Sequence, residues 1–333
     1  MLIKNLGYHG IFLTDANVIL DGTRTNAHAF ISHAHADHVP RQQITPVFTT
    51  PATAVLMRAR GYKGPINELP FGESVTLSNA TITLFPAGHI LGSAMIFVET
   101  DHGSLLYTGD CRTPPSPLTE GFQLPDRAVD YLIIEATFGL PIYKWKSHDV
   151  LFRQICHFVE DSIANDVTPV LLCYNMGKAQ EVMHALASSD RSTMLQIHSG
   201  GVKICRVYEE FGFNLGEWEP YNRSTLADKA LIAPGSVKKS AIIQNLQKKR
   251  LAYISGWATL ESRTSQLLAD ELIPLSDHLD FFELINVCSK LAPKHTWLNH
   301  SPNPDVALHY LRNEGLSCSY LNMHHNDDGK KRS

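Results

Sequence analysis

Ala29-Phe30-Ile31-Ser32-His33-Ala34-His35-Ala36-Asp37-His38 places four metal-capable side chains within six residues, directly behind a short apolar run. The apolar run has the length and character of a buried strand. Imidazoles two residues apart at a strand end point the same way and can share one cation. Alanines between them leave its approach open. Asp37 and His38, as the chain turns, can reach a second cation. Imidazole with carboxylate suits zinc or a similar divalent ion. Histidine is common in this chain, 17 of 333 residues, so the ordered spacing carries the argument rather than any single imidazole.

Two further positions repeat the pattern. His89 lies in Pro86-Ala87-Gly88-His89-Ile90-Leu91-Gly92-Ser93, after the alternating run Thr81-Ile82-Thr83-Leu84-Phe85. Asp110 closes Leu106-Tyr107-Thr108-Gly109-Asp110, again behind a strand-like run. His33, His35 and His89 can hold one ion; Asp37, His38 and a late histidine can hold another; Asp110 can bridge the two.

The texture of the chain changes near Trp145. Before it the sequence is β-rich, with a hairpin signal at Asp101-His102-Gly103. Thr50-Pro51-Ala52 opens an expected helix over 52–60, with proline where its missing N–H is harmless. Tyr131-Leu132-Ile133-Ile134-Glu135 reads as a buried strand ending in an acid. Beyond it, helices predicted at 148–164, 178–187 and 237–247 (Ser236 as N-cap) alternate with strands at 169–173, 194–197 and 251–254. Such alternation predicts a parallel α/β layer. The polar tail 326–333 reads as frayed.

Composition narrows the classes. Net charge is −4, with no overall basic excess to advertise nucleic acid. The charge is unevenly spread: residues 141–270 carry 15 basic against 13 acidic side chains, and 229–260 carry six cations and no acid. That run suits either a solvated helix face or phosphate contact. Six scattered cysteines without a C-x-x-C pair argue against a disulfide framework or zinc ribbon. The N-terminus lacks the apolar core of a secretory signal, and no apolar run is long enough to span a bilayer. A cytoplasmic protein without membrane contact is the expectation.

These motifs resemble the five of the metallo-β-lactamase superfamily, and the second half resembles its β-CASP nuclease branch. Leu275-Ser276-Asp277-His278-Leu279-Asp280 and Trp297-Leu298-Asn299-His300-Ser301 are similar to two motifs of that branch, and Glu135 to a third. Over Glu135–Trp145, Ile254-Ser255-Gly256-Trp257 and Ser276-Asp277-His278 the chain looks like the bacterial ligase-associated DNA exonucleases, which are also described as RNA 3′-end processing enzymes. One departure stands out: where that branch is arginine-rich after Gly-Trp, residues 258–263 hold only Arg263.

The resemblance implies an α/β fold: an αββα metallo-β-lactamase sandwich from residues 1–146 and 271–333, with a β-CASP α/β domain inserted over 147–270. It implies metal ligands His33, His35, Asp37, His38, His89, Asp110 and His300, with Asp21 bracing the ligand loop from behind. It implies two divalent ions, zinc or manganese. It also makes His278 a general acid held by Glu135. Two ions about 3.5–4 Å apart clamp the attacking and leaving oxygens of a phosphodiester, a bridging hydroxide oriented by Asp37 attacks, and His278 protonates the leaving group. Lys178, Ser236, Lys238 and Lys239 are candidate phosphate contacts, with ordinary helix capping as the alternative. Lys144 and Trp145 are expected along the cleft, core packing being the alternative for Trp145. DNA is the expected substrate, with a DNA ligase or helicase as partner by family association. The alternatives are an RNA-processing exo- or endoribonuclease of the same branch, a small-molecule metallo-hydrolase, a non-catalytic module and a diiron oxidoreductase.

Overall fold

The computed structural model describes residues 2–43, 45–77, 79–189, 193–259 and 269–322. Arg263 and the polar tail lie outside the described residues.

The chain first builds a six-stranded sheet in sequence order: β1 (Ile3–Asn5), β2 (Ile11–Leu13), β3 (Val18–Leu20), β4 (His28–Phe30), β5 (Val47–Thr49) and β6 (Ile66–Glu68). Helix α1 (Pro51–Ala59) links the last two, with Thr50 Oγ1 accepting the Thr53 N–H and Pro51 in the first turn. A second sheet follows as an antiparallel meander: β7 (Ser74–Leu77), β8 (Ala80–Pro86), β9 (Ala94–Thr100) and β10 (Gly103–Tyr107), with β11 (Tyr131–Glu135) added parallel to β10.

A third, wholly parallel sheet then forms. Its strands are β12 (Thr168–Leu172), β13 (Leu195–Ile197), β14 (Trp218–Pro220), β15 (Ala230–Ala233), β16 (Lys249–Ile254) and β17 (Glu271–Ile273), in spatial order β14-β13-β15-β12-β16-β17. Helices α2 (His148–Ala164), α3 (Lys178–Ala187), α4 (Ser199–Glu210) and α5 (Ala241–Gln244) belong to this part. It runs through Ile273, just past the expected boundary at 270. The chain finally returns to the second sheet through α6 (Phe281–Leu291), β18 (His295–Asn299), α7 (Pro304–Asn313) and β19 (Cys318–Tyr320). There β18 pairs parallel with β11, setting Glu135 opposite Asn299.

Alternation decides how these parts stack. Leu13, Val18 and Phe30 of the first sheet share one core with Ile82, Ile96 and Leu105 of the second, so the two sheets lie face to face. The opposite face of the second sheet, through Phe97, Leu132 and Ile134, is covered by Leu284 and Val287 of α6 and Leu308 and Leu311 of α7. The outer face of the first sheet meets Leu56 and Met57 of α1 in a core that continues into the third-sheet unit through Ile155, Leu171 and Val182. Strands β12 and β15 are apolar almost throughout, as a parallel sheet covered on both faces requires.

The predicted helices at 148–164 and 178–187 are present with those bounds, and the 52–60 helix begins one residue earlier. The helix expected over 237–247 is not. Gly235–Val237 is a single 3-10 turn containing Ser236, and the short α5 restarts behind Ser240, which is extended. Lys238, Lys239 and Ser240 supply no apolar side chain, so no continuous stripe holds a longer helix to the sheet.

Candidate metal centre

The candidate ligands all leave strand ends. His33, His35, Asp37 and His38 follow β4; His89 follows β8; Asp110 follows β10; His300 follows β18. Gly109 lets the β10 end come in close: its φ is +55°, and a Cβ there would sit 2.6 Å from that of Ser32. His300 has φ +52° and Asp21 φ +48°, a conformation uncommon outside glycine and turned here to aim side chains at one place.

Among the described residues, His33, His35, His89 and Asp110 bring one ligand atom each within 4.8 Å of one another, and so do His38, Asp110 and His300. Asp110 belongs to both groups. Its Oδ2 lies 3.4 Å from His38 Nε2, 3.6 Å from His33 Nε2 and 3.8 Å from His89 Nε2. Those spacings exceed a good hydrogen bond. They approach the roughly 3.3 Å between two ligands that each sit about 2.0–2.1 Å from one tetrahedral ion. His33 Nε2 is fully buried with no hydrogen-bond partner, a state that costs about 1–3 kcal/mol unless something fills it. A divalent cation fits this donor set.

The other ring nitrogens are anchored away from the centre. His38 Nδ1 lies 2.7 Å from Asp21 Oδ2, His89 Nδ1 2.8 Å from the Asp277 carbonyl, and His35 Nε2 3.2 Å from the Met176 carbonyl. A ring that donates to these oxygens turns its remaining lone pair inward, the arrangement expected around a metal. Asp21 is itself fixed by the Ser32 N–H and hydroxyl and by the Tyr107 hydroxyl, each at 2.7 Å.

Asp37 stands apart from both groupings. Its side chain is 72% exposed, and Oδ2 lies 3.8 Å from His38 Nε2. It lines a cleft of about 830 Å³ shared by His35, Asp110, His278, His300 and, on the opposite wall, Tyr174, Ser236 and Trp257. His278 Nδ1 lies 2.8 and 3.0 Å from the two Glu135 oxygens.

Other proteins are similar to this chain in sequence. A protein of Opitutus terrae named probable DNA ligase is 34% identical over 313 residues, which cover 93% of this chain and 30% of that one. The 5′ exonuclease Apollo of Gallus gallus is 36% identical over 271 residues, 79% of this chain and 56% of its own length. The chain thus spans less than two thirds of either relative. No protein-family model matches it. The chain belongs to the β-CASP nucleases of the metallo-β-lactamase superfamily. A crystal structure of a protein of unknown function from Enterococcus faecalis V583 shares the fold at TM-score 0.59 and 14% identity, over 84% of this chain and 76% of that one.

In this β-CASP chain the electrostatics follow from burial. Burial, then the neighbouring His38 and His89 imidazoles, hold His33 well below the usual histidine value; burial and His89 bring His35 to about 3. His89 is lowered, chiefly by burial. All three are neutral at pH 7 and offer lone pairs. Burial also presses on His38, but Asp110 and Asp21 raise it well above the ordinary value. Burial works against the Asp110 carboxylate, yet His38 and its neighbours hold it well below the usual range.

The candidate phosphate contacts divide. Ser236 lines the cleft. Lys178 lines it too, but is buried, with Nζ 2.8 Å from Asp277 Oδ1. Lys238 and Lys239 are not among the described residues that line it. The Gly177 N–H, just before Lys178, is 2.8 Å from Gln180 Oε1 and so is already capped. Trp145 does not face the cleft as a lining residue: its Nε1–H donates to the His278 carbonyl at 2.9 Å, and Lys144 Nζ sits 5.5 Å above the Phe282 ring. The sequence signals missed Asp277 and Tyr107. Asp277 adjoins His278 and could have been flagged by that adjacency; Tyr107 reads only as a strand residue.

Proposed function

We infer that this chain is a two-metal phosphodiesterase acting as a DNA exonuclease. In this reading residues 1–146 and 274–333 make the αββα metallo-β-lactamase sandwich, and 147–273, up to the end of β17, the β-CASP insertion that walls the cleft. The observation that carries it is the His278–Glu135 pair, 2.8 Å apart, opening into the same cleft as the His/Asp cluster. A small-molecule hydrolase has no need of that pair or of the added wall.

Divalent ions, zinc or manganese, would be held by His33, His35, His89 and Asp110 and by Asp37, His38, Asp110 and His300; when bound they polarise phosphoryl oxygens and acidify water. Asp37, open to solvent in the cleft, orients the attacking water. Burial lowers the His278 imidazole, but Glu135, then Asp110 and Asp277, lift it to about 10, so the ring is protonated at neutral pH. Its Nδ1 is occupied by Glu135, so Nε2 carries the proton that goes to the leaving sugar oxygen. Ser236 meets a phosphate from the far wall. The relative named probable DNA ligase, matched over 93% of this chain, favours DNA as substrate and a ligase as partner. Six unpaired cysteines suit a reducing, cytoplasmic setting.

The test is one digestion series. Purified protein with Zn²⁺ or Mn²⁺ is given DNA and RNA of matched sequence, labelled at either end, with a chelator control. A ladder from one DNA end that disappears with chelator is expected. Cleavage of RNA alone would move the assignment to the ribonucleases. No cleavage of either by metal-loaded protein would overturn it.

A further inference from the structure

We propose that Lys178 is a positioning residue for the metal centre, acting through Asp277 and His89, and not a substrate contact. This rests on the metal-centre reading above. Lys178 opens α3 and is 4% exposed. A cation in the first turn of a helix faces the positive end of the helix dipole, and burial adds to the penalty. Both effects oppose lysine here, so the residue needs a specific partner. Asp277 Oδ1, 2.8 Å from Nζ, is that partner.

Asp277 then acts in two directions. Its main-chain carbonyl receives His89 Nδ1 at 2.8 Å, which turns His89 Nε2 toward Asp110. Its carboxylate lies 3.8 Å from His278 Nε2. The turn that carries Lys178 is pressed onto the same ligand loop. Gly177 has φ +87°, and a Cβ there would fall 2.4 Å from Ile90 Cγ2, next to His89. One residue earlier, the Met176 carbonyl receives His35 Nε2. The turn between β12 and α3 therefore meets His35 directly, through Met176, and reaches His89 only through the Lys178–Asp277 pair.

The test needs no substrate. Zn²⁺ affinity of metal-stripped protein is measured by competition with a chromophoric chelator, with circular dichroism as a check of fold. Lys178→Met is expected to weaken Zn²⁺ binding about tenfold or more, the loss typical of a group that orients a ligand. Lys178→Arg, which keeps the charge, should recover most of it. If Lys178→Met fails to fold, the double variant Lys178→Met/Asp277→Asn, which leaves neither charge unpaired, replaces it and should show the same loss. Wild-type Zn²⁺ affinity in the folded variant, with a raised KM for oligonucleotide, would make Lys178 a phosphate contact and overturn the proposal. Absence of nuclease activity in every form would sink the function above while leaving the Zn²⁺ comparison intact.

Discussion

At the scale of single residues, the candidate ligands were legible because each is coded locally. An apolar run, then a histidine or aspartate, is visible at His33, His89 and Asp110 without any knowledge of the fold. Asp21 beside His38 was named from the sequence, but the partners of His35 and His89 were not legible, because carbonyl oxygens such as those of Met176 and Asp277 have no signature in side-chain identity. Asp37 and His278 carry the sharpest predictions here. Asp37 is 72% exposed, so Asp37→Ala should leave the melting temperature unchanged while lowering kcat at least about 100-fold, read by steady-state kinetics on metal-loaded protein. Unchanged turnover would remove its assigned role. For His278 the raised value gives the sign: the ring is charged below about 10 and loses its proton above. The stability from its pairing with Glu135 is fully present below the unfolded value near 6.5 and is lost as pH rises through about 10. Bound cations act the other way and draw the activity limb to lower pH. His278→Ala should therefore depress kcat by about 10²–10⁴ with little change in KM, and erase the alkaline limb of the pH–rate profile. An equal loss in KM would make it a binding group.

At the scale of elements, periodicity was read correctly where an apolar stripe reaches a sheet. In α2, Leu151, Ile155, Phe158 and Val159 are buried as their spacing demands. The stretch after Pro234 departs from the prediction because Lys238, Lys239 and Ser240 interrupt the apolar spacing between Val237 and Ile242–Ile243, and neither short helix there carries a side-chain cap. Helix α6 shows the opposite case, a cap that works under strain. Asp280 Oδ1 accepts the Glu283 N–H at 2.8 Å and Glu283 Oε2 accepts the Asp280 N–H at 3.0 Å. Burial raises the Glu283 carboxyl to about 7. An acid raised on folding loses stability as pH climbs from its unfolded value near 4.5 through 7. Glu283→Gln keeps an acceptor for the cap and has no charge to bury. It should melt higher than wild type at pH 8 and equal to it at pH 4; the reverse order in thermal melts at the two pH values would refute this account.

At the scale of the whole molecule, the sequence showed a change of texture near Trp145 but not how the two textures meet. They meet through buried polar contacts between residues distant in sequence, which no local pattern encodes. Glu181 of α3 accepts the Ser116 hydroxyl at 2.7 Å and faces Arg112 at 3.9 Å, both from the other half, with His148 of its own unit 3.5 Å away. Arg112 is 2% exposed, two residues beyond Asp110, the residue common to both candidate ligand groups. The Tyr208 hydroxyl of α4 accepts the Leu91 N–H at 3.3 Å across the same boundary. Such contacts make the third-sheet unit part of the metal half's stability rather than a lid resting upon it. Glu181→Gln leaves Arg112 buried beside a neutral group, and breaking a buried pair on one side costs about 3–5 kcal/mol. The expected result is one unfolding transition moved down as a whole, followed by tryptophan fluorescence and by circular dichroism in parallel. If the two signals separated, with one part melting early and the other at the wild-type temperature, the halves would be independent. The cross-boundary contacts of Met176 with His35 and of Lys178 with Asp277 would then have no cooperative basis.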